Sequence, residues 1–193
     1  MPDNYAIRAL TENDWEPFAA IRLEALKNHP DFYASNYEKE SKYTETEWKS
    51  WLTRQGKCVF GAFDDQALIG IAGVFPHIYE FPRLPDNSEP TGVMGAVYVK
   101  PDYRRQHLAN KSGHACIEWS VEHAPWHKLA VSHCDGNEAS RRMIEKLGFR
   151  LLDIERGRLW HGRVRDQYWY GIDLDQLRPQ TSPRAVREAS PHA

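Results

Sequence analysis

Hydrophobic positions along this chain recur with changing period, and each change predicts a different element. Residues 5–11, YAIRALT, alternate weakly and predict an opening strand. From residue 13 the spacing becomes helical, with Trp15, Phe18, Ala19, Leu23 and Leu26 on one face. Asn13 stands where it can cap that helix, and Glu16 three residues on completes a capping-box pattern. Pro17 falls in the first turn, where a missing N–H does least harm, and His29-Pro30 ends the run. TETEWKSWL (44–52) predicts a second, shorter helix, capped by Thr44 with Glu47 three residues later.

The period then shortens to two. CVFGAFD (58–64), ALIGIAGVF (67–75) and GVMGAVYV (92–99) are β-rich runs parted by turn residues, as in an antiparallel meander. Residues 76–91 hold four prolines and predict a loop of functional length beside the sheet. A helix returns from Arg105 to about Val121, with Leu108, Ser112, Ala115, Cys116 and Trp119 on one face. KLAVSHC (128–134) predicts a strand, and NEASRRMIEKLGF (137–149) a helix stopped by Gly148. FRLLDIERGRLW and QYWYGIDL close the chain as two strands. The order β-α-α-β-β-β-α-β-α-β-β predicts an α/β (α+β) fold: one mixed, mostly antiparallel sheet of about seven strands, flanked by about four helices. Residues 1–178 read as one domain. Residues 179–193 mix Pro, Ser, Arg and Ala without period and read as a flexible tail.

Bulk properties narrow the function. A length of 193 residues suits one domain with a substantial core, and 41% hydrophobic with 27% charged residues describes a globular protein. A formal net charge of −2 disfavours a nucleic-acid partner. No apolar run nears the roughly 20 residues that cross a bilayer, and MPDNYAIRAL lacks a signal peptide's apolar stretch. Three widely spaced cysteines, Cys58, Cys116 and Cys134, suit reduced thiols in a cytoplasm. Metal binding is not expected: Pro125 interrupts His123 and His127, and the adjacent His133 and Cys134 point to opposite faces of a strand. Monomer and homodimer both remain open.

The stretch VKPDYRRQHLA (99–109) carries the most chemistry. It runs from a strand through a proline turn into a helix, and the turn holds Arg104, Arg105 and His107 with no acidic residue after Asp102. A helix N-terminus offers unpaired N–H groups and partial positive charge, which attract anions. The arginines add charge-assisted donors, so a diphosphate cradle and an ordinary solvated basic turn both fit the residues.

This stretch resembles motif A of the GNAT superfamily of N-acetyltransferases, a strand followed by V-x-P-x-x and then R/Q-x-x-G-x-G/A: Val99, Pro101, Arg104, Arg105, Gln106, His107, Leu108 and Ala109 stand at its positions. NEASRRMIEKLGF resembles a second segment of that superfamily through Asn137, Ser140, Glu145, Lys146, Gly148 and Phe149. The resemblance covers about residues 5–174. It implies that the strands 92–99 and 128–134 splay apart and that acetyl-CoA inserts between them. The backbone of Val97, Tyr98 and Val99 would pair with the pantetheine, the amides of Arg105, Gln106, His107, Leu108 and Ala109 would hold the diphosphate with Arg104 beside them, and Asn137 and Ser140 would face the pantetheine arm. The helix start would then lack carboxylates because the ligand supplies the negative charge.

Two departures stand out. His107 replaces the usual glycine: at left-handed dihedrals it costs about 1 kcal/mol, whereas in helical ones it is an ordinary exposed residue. Ile144 stands where many members have a tyrosine that protonates the departing thiolate. Ser140, Cys134 and Tyr168 lie within topological reach of that role, and spacing singles out none. For the base, GVMGAVYV holds no acid, which leaves His133 and Asp135, the loop residues His77, Tyr79 and Glu80, and Glu24. The catalytic set is read as His133, Asp135, Ser140 and Tyr168.

The segment RLEALKNHPDFYASNYEKE resembles acceptor-side helices of some bacterial members, with Phe32, Ser35 and Glu38 near the acceptor cleft. Trp48, Trp51, Phe75, Tyr79 and Phe81 offer an aromatic wall, although Trp48 and Phe75 suit the core equally. An acidic, aromatic cleft would favour a cationic amine. The expected activity is acetyl transfer from acetyl-CoA to a primary amine, on a small molecule or on a protein; the NEAS variant is similar to that of ribosomal-protein acetyltransferases. The alternative is a non-catalytic acyl-CoA-binding or sensing module of the same fold.

Overall fold

Successive residues of a strand face opposite sides of its sheet, and this chain uses both sides. In the computed structural model, which describes residues 5–77, 90–160 and 162–179, Val59 joins one core cluster and its neighbour Phe60 packs on another. The strands are β1 (Ala6–Ala9), β2 (Cys58–Asp64), β3 (Ala67–Pro76), β4 (Thr91–Val99), β5 (Lys128–Cys134), β6 (Arg150–Trp160) and β7 (Arg163–Asp173). They form one seven-stranded sheet in the order β1-β2-β3-β4-β5-β7-β6. Every neighbouring pair is antiparallel except β4 with β5.

Helices α1 (Trp15–Asn28) and α3 (Glu45–Thr53) cover one side of the sheet with Phe18, Ile21 and Trp48, against Val59, Phe63 and Ile71. Helices α4 (Leu108–His123) and α5 (Glu138–Lys146) cover the other with Cys116, Ile117, Met143 and Ile144, against Ala72, Val74, Leu129 and Val131. The fold class is the one the pattern predicts. Thr44 and Glu47 form the expected capping box, with Glu47 N–H donating to Thr44 Oγ1 over 3.3 Å and Thr44 N–H to Glu47 Oε2 over 2.7 Å. Gly148 stops α5 at φ +88°, the left-handed position where a glycine is least strained.

The differences have local causes. A 3₁₀ turn, Glu12–Asp14, precedes α1, so the capping box falls on Thr11 and Asp14 rather than on Asn13 and Glu16. Helix α4 starts at Leu108 and not at Arg105, because Arg105 and His107 adopt left-handed dihedrals that a right-handed helix excludes. Its buried line is Leu108, Ser112, Gly113, Cys116, Ile117 and Ser120, and Ala115 and Trp119 lie only partly buried beside it. A fifth helix, α2 (Tyr37–Glu40), is a single turn capped by the Asn36 side chain, too short to show a period. Most of the predicted 76–91 loop, including Tyr79, Glu80 and Phe81, and nearly all of the predicted tail lie outside the described residues.

Candidate active site

β4 pairs with β5 over three residue pairs only: Thr91 with Lys128, Gly92 with Leu129 and Val93 with Ala130. Beyond them the two strands part. On its other edge β4 carries a bulge. Gly73 faces Gly95 and Ile71 faces Tyr98, so Ala96 and Val97 together oppose Ala72. Ala96 sits at φ +53°, a strained choice for a residue with a Cβ. Bulges sharpen twist and re-aim the backbone, and this one lies where β4 leaves β5.

The chain leaves β4 through the turn Pro101–Tyr103 and an extended Arg104. Arg105 (φ +65°) and His107 (φ +60°) then turn left-handed just before α4. Backbone of this kind gathers N–H groups into an anion-binding concavity, here at the start of a helix with no acidic residue in its first turn. His107 therefore adopts the strained alternative. Its Nδ1 stands 3.5 Å from Lys146 Nζ and accepts from that ammonium, which leaves Nε2–H as a donor. The Arg104 guanidinium turns the other way. Its Nε donates to Val99 O over 3.1 Å and an Nη to His29 Nε2 over 3.0 Å, bracing the end of β4 against the end of α1. Burial and this cation hold the His29 imidazole below its ordinary pKa. The Asn137 carbonyl oxygen caps α5, accepting from Ser140 N–H over 3.2 Å, so its amide N–H₂ is what it offers a ligand.

On the α1–α3 side of the sheet, a cavity of about 590 Å³ opens where β4 and β5 diverge. Its walls are Val93–Ala96 of β4, Ser132–Cys134 of β5, the segment Phe32–Asn36, and Trp51, Phe75 and Trp169. Arg22 on α1 and Glu40 on α2 meet in its wall as a bidentate pair (2.9 and 2.8 Å) with side chains 5% and 0% exposed. The Arg22 guanidinium lies 5.0 Å above the Tyr33 ring. The Tyr33 hydroxyl donates to Val97 O over 2.9 Å, and burial raises this phenol far above its usual pKa, so it stays a donor. Asp31 accepts from Arg163 (2.8 Å) and Arg165 (3.3 Å) of β7. Residues 31–33 thereby bridge the two halves of the sheet across the gap.

The sequence matches the family model described as Acetyltransferase (GNAT) family over residues 20–149, about two thirds of its length. The chain belongs to the GNAT acetyltransferase family. Solved structures agree on the fold. An acetyltransferase of the GNAT family from Streptococcus pneumoniae superposes with a TM-score of 0.72 at 18% identity, covering 88% of this chain and 99% of its own. A putative acetyltransferase from Salmonella typhimurium, yncA, solved with its cofactor acetyl-CoA, gives 0.72 at 19% identity over 94% and 99%. Ribosomal-protein-S5-alanine acetyltransferase from Vibrio fischeri gives 0.70 at 16% over 91% and 96%. No curated protein matches in sequence.

Within this family member the four catalytic candidates separate. His133 lines the cavity and is 5% exposed. Its Nδ1–H donates to Cys134 O (3.0 Å), so Nε2 carries the lone pair and accepts from the Tyr170 hydroxyl at 3.2 Å. Tyr168 stacks on the imidazole, centroids 5.0 Å apart and planes 7° apart. Asp135 stands exposed at the end of β5, and Ser140 lies in the first turn of α5; neither lines the cavity. Of the further acids and bases, Glu24 accepts from the Tyr98 hydroxyl over 2.7 Å, and His77 lines the cavity. Phe32, Ser35, Trp51 and Phe75 also line it. Trp48 is core, at 3% exposure, and Glu38 is exposed on α2 away from the walls.

Sequence reasoning passed over Arg22, Tyr33 and Glu40. Arg22 left a signal, a cation four residues after Phe18 on the apolar face of α1. Glu40 left none, because its burial depends on a partner 18 residues away. Among the described residues no three His, Cys, Asp or Glu side chains gather as a metal site, and no helix is long and apolar enough to cross a membrane.

Proposed function

We propose that this protein transfers the acetyl group of acetyl-CoA to a primary amine by direct attack in a ternary complex. One observation carries the reading: the three-pair β4–β5 ladder opens into a gap flanked by an N–H-lined turn on one face of the sheet and a cavity on the other. A diphosphate needs donors and no carboxylates, which is the chemistry of residues 104–109. In this reading the amides of Arg105 to Ala109, with the His107 Nε2–H, hold the diphosphate. Arg104 acts from beside them by fixing the end of β4. The backbone of Val97, Tyr98 and Val99 and the Asn137 amide hold the pantetheine, with Ser140 alongside. The Salmonella typhimurium structure with acetyl-CoA supports this choice of donor.

The amine enters through the cavity, its nitrogen bonds to the thioester carbon, the C–S bond breaks, and a proton passes from nitrogen to the departing thiol. Of His133, Asp135, Ser140 and Tyr168, only His133 borders the cavity, and its lone pair is engaged by Tyr170. Ile144 is fully buried and supplies no proton. Catalysis then rests on proximity and on polarisation of the carbonyl by β4 amides. The test is amine-dependent thiol release from acetyl-CoA. Arg105→Ala is expected to raise the acetyl-CoA KM several-fold with kcat little changed. Absence of both acetyl-CoA binding and thiol release across a broad amine panel overturns the proposal; tight binding without turnover would mark a binding module instead.

A further inference from the structure

The charges on the cavity wall run against a simple cationic acceptor. Arg22, Lys39 and Arg158 line it, and among the described lining residues Glu40 is the sole carboxylate. Glu40 is wholly enclosed, and each of its oxygens receives one guanidinium nitrogen of Arg22. It cannot turn to a substrate ammonium without leaving that guanidinium unpaired in a buried site, which is strongly unfavourable. Glu155, which pairs with Arg158 at 2.9 Å, is not part of the lining. Among the described residues the carboxylates thus stand behind their cations, and these residues present the cavity with donors.

Arg22 spends Nε and one Nη on Glu40, while its other terminal nitrogen, Nη1, makes none of the described hydrogen bonds. That nitrogen belongs to a guanidinium held rigid by the pair and by the rings of Tyr33 and Trp51, 5.0 and 5.5 Å from its centre. A fixed fork with N–H groups to spare, in a partly desolvated site, recognises an oxyanion. Lys39, exposed on α2, is a further cationic residue of the lining.

We infer that the acceptor is an amine of amino-acid size that also carries a carboxylate, received by Arg22 Nη1 and Lys39, with its apolar part against Trp51, Phe75 and Phe32. The inference rests on the acetyltransferase reading and deepens it. Cationic walls have a second effect on such a substrate. They disfavour the ammonium form and so favour the neutral amine that attacks the thioester, in a site where the His133 imidazole has its lone pair engaged.

The experiment compares three amines that share a side chain: L-phenylalanine, L-phenylalaninamide and phenethylamine, with the leucine trio in parallel. Acetyl-CoA is the donor and thiol release the readout. The expected result is a kcat/KM at least tenfold higher for the carboxylate member of each trio, and a several-fold smaller ratio in Lys39→Gln. Equal or better turnover of the amide or the plain amine overturns the inference while leaving the acetyltransferase reading intact. If no amine of any kind is acetylated, that reading falls, and binding decides the inference separately. Calorimetry with N-acetyl-phenylalanine and N-acetyl-phenylalaninamide should then show tighter binding of the carboxylate form, weakened in Lys39→Gln. Equal affinities, or no binding of either, overturn it.

Discussion

His107 concentrates the local cost of the turn before α4. A residue with a Cβ at φ +60° is strained by about 1 kcal/mol relative to glycine, and the imidazole recovers little from a contact of 3.5 Å with Lys146. The conformation persists because its neighbours are fixed: Arg104 braces Val99, and Leu108, 1% exposed, anchors the helix. His107→Gly is therefore expected to stabilise the fold by about 1 kcal/mol in denaturant titration, since glycine takes these dihedrals without strain. The acetyl-CoA KM of that variant then reports what the side chain itself does. A rise despite the gain in stability means that the Nε2–H contacts phosphate. A KM that is unchanged or lower leaves the cradle to the backbone alone.

At the scale of elements, the join between β1 and α1 has a pH dependence that can be worked out. Arg8 forms a bidentate pair with Asp14 (2.7 and 2.9 Å), and Thr11 donates to the same carboxylate. The Arg8 hydrogen bonds lead in holding the Asp14 carboxyl at about 2, against an ordinary 3.8. A group whose folded pKa is depressed stabilises the fold above its unfolded pKa and loses that contribution as pH falls through the folded one. The window is therefore pH 4 down to 2. The Arg8 side chain is 48% exposed, so screening reduces the contribution to about 1 kcal/mol. Urea titrations at stepped pH should show wild type and Asp14→Asn converging by this amount between pH 4 and pH 2. A constant offset across that window would remove the pair from the stability of the join.

The same scale shows what can be read from a sequence. Long periodic segments such as α1, β5 and α5 were legible because each buries a continuous face, and the Thr44–Glu47 cap was legible because it is local. The start of α4 was not, since left-handed dihedrals at Arg105 and His107 are set by the turn rather than by residue type. The turn before α4 was visible as a run of charges. The cavity wall was not, because Arg22, Tyr33 and Glu40 acquire their contacts only when α1, α2 and the β4 bulge come together. Glu38, which the resemblance put near the acceptor cleft, is turned to solvent.

The whole molecule is two half-sheets, β1–β4 and β5–β7–β6, sharing a ladder of three residue pairs. Parallel pairing that short is weak alone, so the junction depends on what packs over it. Trp126, 4% exposed, lies against Gly92 so closely that a Cβ there would stand 2.1 Å from the indole. The backbone around that indole is tied in turn: Trp126 O accepts from Arg178 over 2.8 Å, and His127 N–H donates to Pro90 O over 2.9 Å. A side chain at position 92 must displace the ring, and the ring cannot leave without loosening the ladder that sets where the strands part. Gly92→Val is therefore expected to cost about 1–3 kcal/mol through overpacking. The stability loss should be accompanied by a several-fold rise in acetyl-CoA KM, because the gap on one side of the ladder and the fit on the other share the same three pairs. Trp126→Ala relieves the clash in the double variant, so some of the lost stability should return when both changes are combined, apart from the cost of the cavity it leaves. Strict additivity of the two changes in denaturant titration, or a KM indifferent to Gly92→Val, would show that the opening between the half-sheets is held by the bridge of Asp31 and Tyr33 rather than by the ladder.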